Sequence, residues 1–180
     1  MRKVILSVMV SLDGMIETTN PEEEWFVWDD EMAEYFNTFF KSLDAFIYGR
    51  KAYESMLNYW PAATGKFADI MNNTPKFVFS RTLKKAEWNS TIISGNIREE
   101  MMKIKSQPGK DIALFAGAEI ACAFIKEGLI DEFRLIVNPV VLGKGTPLFN
   151  DFTTKFLLKF TKAQPFNCGN VILYYQPNNQ

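Results

Sequence analysis

Three stretches of the chain place small or cationic residues directly behind apolar runs. Gly49, Arg50 and Lys51 follow Ala45 to Tyr48. Ser80, Arg81 and Thr82 close and follow "KFVFS", and Ala116, Gly117 and Ala118 follow "IALF". Glycine admits a ligand close to the backbone, and a helix start offers unpaired N–H groups with partial positive charge. Arginine adds a planar fork of donors suited to phosphate oxygens. Cations at a helix start oppose its dipole, so Arg50 and Lys51 fit a ligand better than a plain turn. The chemistry implied is the holding of a phosphate-rich ligand at the carboxyl ends of parallel strands, where open α/β sheets bind theirs.

The ligand can be narrowed. G-x-G-x-x-G is absent, and "GKGTPLF" (Gly143 to Phe149) runs into Thr146-Pro147 with no helical pattern behind it. The site offers arginines instead of an acid for a ribose hydroxyl, which favours a 2′-phosphate and hence NADP over NAD.

Other chemistries drop out. The 180 residues include no histidine and only two cysteines, Cys122 and Cys168, without C-x-x-C spacing. Histidine-dependent nucleophiles and the usual zinc sets are therefore absent, no metal is expected, and both thiols are expected to be free. A formal charge of −1 speaks against a nucleic-acid partner. No stretch approaches the roughly 20 apolar residues of a membrane span. "MRKVILSVMVSLDG" lacks a small-x-small cleavage site and is expected to be a first core strand, in a cytoplasmic protein.

The elements that must position these residues alternate. Val4 to Val10 reads as a strand buried on both faces. Asp29 to Ser42 reads as a helix capped by Asp29 or Asp30, with Met32, Phe36, Phe39 and Leu43 as its apolar stripe. Ala45 to Tyr48 is the second strand, with a helix opening at Arg50. A Pro-containing loop spans Tyr59 to Thr64. Lys76 to Ser80 and Thr91 to Ser94 are further strands, and Ile97 to Ser106 a helix. "DIALFAGAEIACAFIKEG" gives strand, glycine turn and helix, ending at Gly128. "EFRLIVNPVVLG" is a strand whose pairing stops at Pro139. "FLLKFTKAQPFNCGNVILYYQ" is a hairpin turning at Asn167 to Asn170. The expectation is a single α/β domain over residues 1–180. Its sheet is mostly parallel and mixed, with helices on both faces and a C-terminal antiparallel hairpin.

"SLDGMI", "IYGRKAYESMLNYWP", "FVFSRT" and "GLIDEFRLIVNPVVLGKGTPLF" together resemble the dihydrofolate reductase superfamily. The closer likeness is to the reductase domain of the bifunctional riboflavin-biosynthesis deaminase/reductase and its stand-alone relatives. The resemblance implies a dihydrofolate-reductase-like fold, NADPH as hydride donor, a small pteridine-like or aminopyrimidine-like substrate, and a homodimer. By position, Gly49, Arg50 and Lys51 would hold cofactor phosphate, and Ser80, Arg81 and Thr82 would surround the adenosine 2′-phosphate. Ala116, Gly117 and Ala118 would pass under the pyrophosphate, and Met9, Val10 and Ile16 would border the nicotinamide. The chain departs from the family pattern at Ala52, where a small hydroxyl residue is usual, and at Ala116, where a glycine is usual. The zinc signature of a deaminase is absent from this sequence, so the bifunctional enzyme is not expected.

Reducing a C=N bond also requires a proton. The acid that holds the pterin in such enzymes aligns best with Glu31 in "WFVWDDEMAEYF", with Asp30 or Glu34 as alternatives; acids here could equally cap the helix. Asp13 either shapes a turn or serves the site. Asp131 and Glu132 match the family motif and could equally cap a strand or make an interface. Trp28 and Tyr53 are the candidates to wall a flat heterocycle. The enzyme reading is an NADPH-dependent reductase. The alternative is a catalytically silent NADPH-binding sensor or assembly module.

Overall fold

The computed structural model describes residues 1–20, 23–150, 152, 153 and 155–178. Its centre is β1 (Val4–Val10), which pairs in parallel on one side with β6 (Asp111–Leu114) and on the other with β7 (Glu132–Val137). β6 in turn pairs with β3 (Leu43–Gly49), β3 with β4 (Lys76–Phe79), and β4 with β5 (Ser90–Ile93), all parallel. At the other edge, β10 (Val171–Pro177) runs antiparallel to β7 and to its hairpin partner β9 (Leu158–Pro165). The order is β5-β4-β3-β6-β1-β7-β10-β9, and β2 (Met15–Glu17) forms a separate two-stranded ribbon with β8 (Thr146–Pro147).

Three helices cover one face: α1 (Asp30–Lys41), α2 (Arg50–Tyr59) and α3 (Lys66–Asn73). They pack Met32, Phe36, Phe39, Phe40, Tyr53 and Met71 onto Ile5, Phe46, Tyr48 and Ile136. The other face carries α4 (Ile97–Ser106) and α5 (Ala118–Lys126), whose Met101, Ile104, Ala121 and Phe124 meet Leu6, Val8, Ile47 and Leu114. β1 is almost entirely buried because it supplies both cores, as an unbroken apolar run in a parallel sheet should.

Local signals account for most boundaries. Asp29 caps α1, its side chain accepting the Met32 N–H at 2.8 Å. α5 ends in a Schellman turn: Gly128 (φ +62°) donates to Ile125 O and Leu129 to Phe124 O, both at 3.0 Å. Other elements go beyond the sequence reading. A 3₁₀ turn, Trp60–Ala62, lies within the Pro-containing loop, and the helix α3 fills Lys66–Asn73, where the sequence reading assigned no element. β7 stops at Val137, because Asn138 turns its side chain inward and Pro139 has no N–H to continue the ladder. The "GKGTP" segment supplies β8, held against β2.

Candidate functional site

β3 and β6 are neighbours, with Phe46 opposite Ala113 and Ile47 opposite Leu114. The helices that follow them part, α2 to the face of α1 and α5 to the face of α4. Such a divergence leaves a crevice at the carboxyl ends of the two strands. Gly49 is the N-cap of α2 and Gly117 that of α5, and neither provides a side-chain cap. The first-turn N–H groups of two helices therefore flank the crevice without a side-chain partner at either cap.

The two glycines have different physical reasons. A Cβ at Gly49 would stand 3.1 Å from Ile120 Cγ2, so the packing of α5 against the end of β3 disfavours a side chain there. Gly117 has φ −74°, open to any residue. A Cβ there would meet only Glu17 Oε1, at 3.9 Å. Neither conformation nor packing demands glycine at 117; what its bare backbone provides is access.

Cations surround this point. Lys51 Nζ reaches Glu119 Oε1 at 3.2 Å across the crevice, and Arg50 meets Glu54 at 2.9 Å on its own helix. Arg81 and Thr82 are exposed just beyond β4. The Ser80 hydroxyl accepts the N–H groups of Leu83 at 3.0 Å and Thr82 at 3.2 Å and so folds the turn that presents Arg81. Ala118 is buried and Ala116 half-buried against the α5-side core. The ends of β4, β3 and β6 thus line up over about 10 Å, two strand spacings.

Other expected site residues lie elsewhere. Tyr53 is a core residue, a correction to the expected ligand wall. It is 1% exposed, and its hydroxyl accepts the Glu87 N–H at 3.0 Å and donates to Glu87 O at 2.7 Å, tying α2 to the approach to β5. Trp28 is 43% exposed and stacks on Phe36, with ring centroids 5.2 Å apart. Glu31 accepts the Asn167 N–H at 2.9 Å, so its carboxylate steadies the β9–β10 turn; Asp30 is exposed beside it. Met9 packs against the α1-side core and Ile16 against the α5-side core, and both are only partly buried. Val10 is buried in the α5-side core. Asp13 shapes turns: it accepts from Ser11 Oγ at 2.6 Å, Gly143 N at 2.7 Å and Leu142 N at 3.1 Å, which holds its carboxyl down at about 2. Asp131 and Glu132 sit at the amino end of β7, away from the crevice. Asp131 accepts from Val4 N at 2.7 Å and Lys105 Nζ at 2.6 Å, and Glu132 from Arg134 at 2.6 Å.

The sequence reading did not foresee a clamp at the ends of β7 and β10. Asn138 and Asn170 are fully buried. Asn138 Oδ1 accepts the Val27 N–H at 2.9 Å, and Asn170 Nδ2 donates to Val27 O at 2.8 Å. Two buried amides thus fix the segment before α1. A cavity of about 760 Å³ opens beside them, its lining including Glu23, Trp25, Val27, Pro139 and Lys144. The available signal was Asn138-Pro139 at the end of an apolar strand, where only the end of ladder pairing was expected. Among the described residues no cluster of acids and thiols could hold a metal, and no helix is long and apolar enough to cross a membrane.

Comparison with known proteins agrees with this architecture. The family model of the RibD C-terminal domain matches residues 2–172. The Bacillus subtilis (strain 168) protein YyaP is 38% identical over 98% of this chain and 96% of its own. The crystal structure of a putative riboflavin biosynthesis protein from Shewanella sp. PV-4 superposes with a TM-score of 0.83 at 19% identity, covering 99% of this chain and 100% of that one. The Thermotoga maritima diaminohydroxyphosphoribosylaminopyrimidine deaminase/5-amino-6-(5-phosphoribosylamino)uracil reductase superposes at 0.69 with 13% identity, over 98% of this chain and 57% of that one. These structures share the dihydrofolate-reductase-like fold.

Proposed function

The chain belongs to the RibD C-terminal domain family, and from that premise we propose that it is an NADPH-dependent oxidoreductase. Its substrate is a small pteridine-like or aminopyrimidine-like compound, reduced at a C=N bond or a ribosylamine carbon. The observation that carries the reading is Gly117: a glycine that neither its conformation nor its neighbours require, heading an uncapped helix at the sheet's switch point.

In this reading the residues fit a dinucleotide. Arg81, with Ser80 and Thr82, would hold the 2′-phosphate. Gly49, Arg50, Lys51, Gly117 and Ala118 would hold the pyrophosphate, with Ala116 beneath it. Ile16 would border the nicotinamide from the α5 side of the sheet and Met9 from the α1 side. When bound, NADPH supplies the hydride. The substrate falls to the cavity beside the Asn138–Asn170 clamp, with Trp28, just before the cap of α1, as a further contact. Of the two acids, Glu31 already holds the Asn167 N–H. The proton is therefore assigned to Asp30 or to a water that Asp30 orients. The protein would work in the cytoplasm as a homodimer, without a nucleic-acid or membrane partner; a single-chain mass by light scattering would remove the dimer.

The commitment of Glu31 to the hairpin turn favours one second reading, a catalytically silent NADPH-binding sensor or assembly module. Titration with NADPH and NADH, followed by tryptophan quenching, tests the site. Binding of NADPH at micromolar concentration, with far weaker NADH binding, supports the cradle; no binding to either removes it. NADPH consumption across a panel of pteridines, aminopyrimidines and imines then separates the two readings, because a sensor binds without turnover.

A further inference from the structure

Glu17 closes β2, and its carboxylate lies over Gly117, with Oε1 3.9 Å from where a side chain at that position would begin. Backbone structure puts it there. Glu17 pairs antiparallel with Thr146 of β8. The neighbouring Gly145 has φ +153° and approaches the Glu17 carbonyl so closely that a Cβ would collide with it. The Glu17 side chain itself is exposed and makes no hydrogen bond or ion pair among the described residues. It is held by its strand over the uncapped start of α5, not by partners of its own.

A carboxylate at this point is the wrong charge for a ligand phosphate, since like charges a few ångströms apart repel. Glu119, the other acid at the mouth of the crevice, is paired with Lys51. Glu17 has no such compensation. From this contact between Glu17 and Gly117 we propose that Glu17 is an affinity-setting residue of the pyrophosphate subsite. Its carboxylate stands in the approach of the pyrophosphate and must swing aside when a dinucleotide enters. Pyrophosphate binding is thereby weakened for any dinucleotide, so a ligand depends on a further anchor, the phosphate at Arg81. Left-handed glycines turn the chain on both arms of the β2–β8 ribbon, Gly14 at φ +83° and Gly143 at φ +72°.

The inference rests on the dinucleotide reading of the site, and the test separates the two. Wild type, Glu17→Gln and Glu17→Ala are titrated by calorimetry with NADPH, NADH and adenosine 2′-monophosphate, which carries no pyrophosphate. Thermal melts establish that the variants are folded. Both variants should bind NADPH and NADH about fivefold or more tightly than wild type does, with the monophosphate unchanged. Unchanged or weaker dinucleotide binding, beside normal wild-type binding of NADPH, overturns the role of Glu17 alone. Equal tightening of the monophosphate also overturns it, since the effect would then be one of general charge. Failure of all three proteins to bind NADPH overturns the dinucleotide reading and this proposal with it.

Discussion

Lys51 and Glu119 join the heads of two helices that the chain places 68 residues apart, ammonium to carboxylate at 3.2 Å across the crevice between β3 and β6. The pair is 72% and 84% exposed. Such exposed pairs contribute only about 0.2–1 kcal/mol. It is a tie that an arriving phosphate can replace. Lys51→Ala should therefore leave the melting temperature almost unchanged while weakening NADPH binding about tenfold. Calorimetric titration beside a thermal melt checks both halves; a large loss of stability with unaltered affinity would make Lys51 structural.

The two N-cap glycines should respond in opposite ways. Gly49→Ala forces a Cβ onto Ile120 and should cost about 1–3 kcal/mol of stability. Gly117→Ser has room, and serine is a good N-cap, so stability should hold or rise by up to about 1 kcal/mol. The same serine fills the approach to the helix start and should weaken NADPH binding by about tenfold or more. Urea midpoints and NADPH titrations of both variants give the comparison.

Paired mutations at the cationic strand ends test the cofactor choice. Arg50→Ala with Arg81→Ala should weaken NADPH binding far more than NADH binding, by about tenfold or more in the ratio of the two dissociation constants. Equal losses for both nucleotides would take the 2′-phosphate away from these arginines.

Asp13 should make the fold acid-sensitive. The Ser11 hydroxyl, followed by the Leu142 and Gly143 N–H groups, holds its carboxyl down to about 2, below the roughly 3.9 of an unfolded chain. The folded state thus binds the proton less readily. The stabilisation is complete above about pH 4 and is lost as the pH falls toward about 2. The stability difference between wild type and Asp13→Asn should shrink over that window, as followed by urea midpoints. A difference independent of pH would separate Asp13 from the effect.

Lys76 should act at the alkaline end. Its ammonium is buried at the start of β4, donating to Thr74 O at 2.6 Å and lying 4.1 Å from the Trp88 ring centroid. Burial pushes its pKa down to about 8 from an unfolded value of roughly 10.4. A lowered lysine pKa means that the unfolded chain holds the proton more tightly, so stability rises with pH between about 8 and 10. Wild type should gain on Lys76→Met across that interval; parallel curves would dissociate the shift from folding.

Much of the architecture was legible because its signals are local. Periodicity located β1, α1, β3 and the terminal hairpin, and the glycine after α5 marked its end. Helix α3 escaped because its eight residues, with Phe67, Ala68, Ile70 and Met71 inward, give barely two turns of pattern. Tyr53 shows the limit for side chains: an aromatic at helical spacing reads the same whether it meets a ligand or, as here, the core.

The sequence by itself determined which strand ends carry glycine and cations, the absence of histidine chemistry, and the alternation that makes a mostly parallel sheet. Those properties depend on residue type and on spacings of two to four positions. Only the tertiary structure decided that the ends of β3 and β6 are neighbours with helices departing to opposite faces. It also decided that Ile120 accounts for Gly49, that Glu17 covers Gly117, and that Asn138 and Asn170 close on Val27. Each is a contact between distant segments, and strand order is chosen by burial of the whole sheet, to which no local pattern has access.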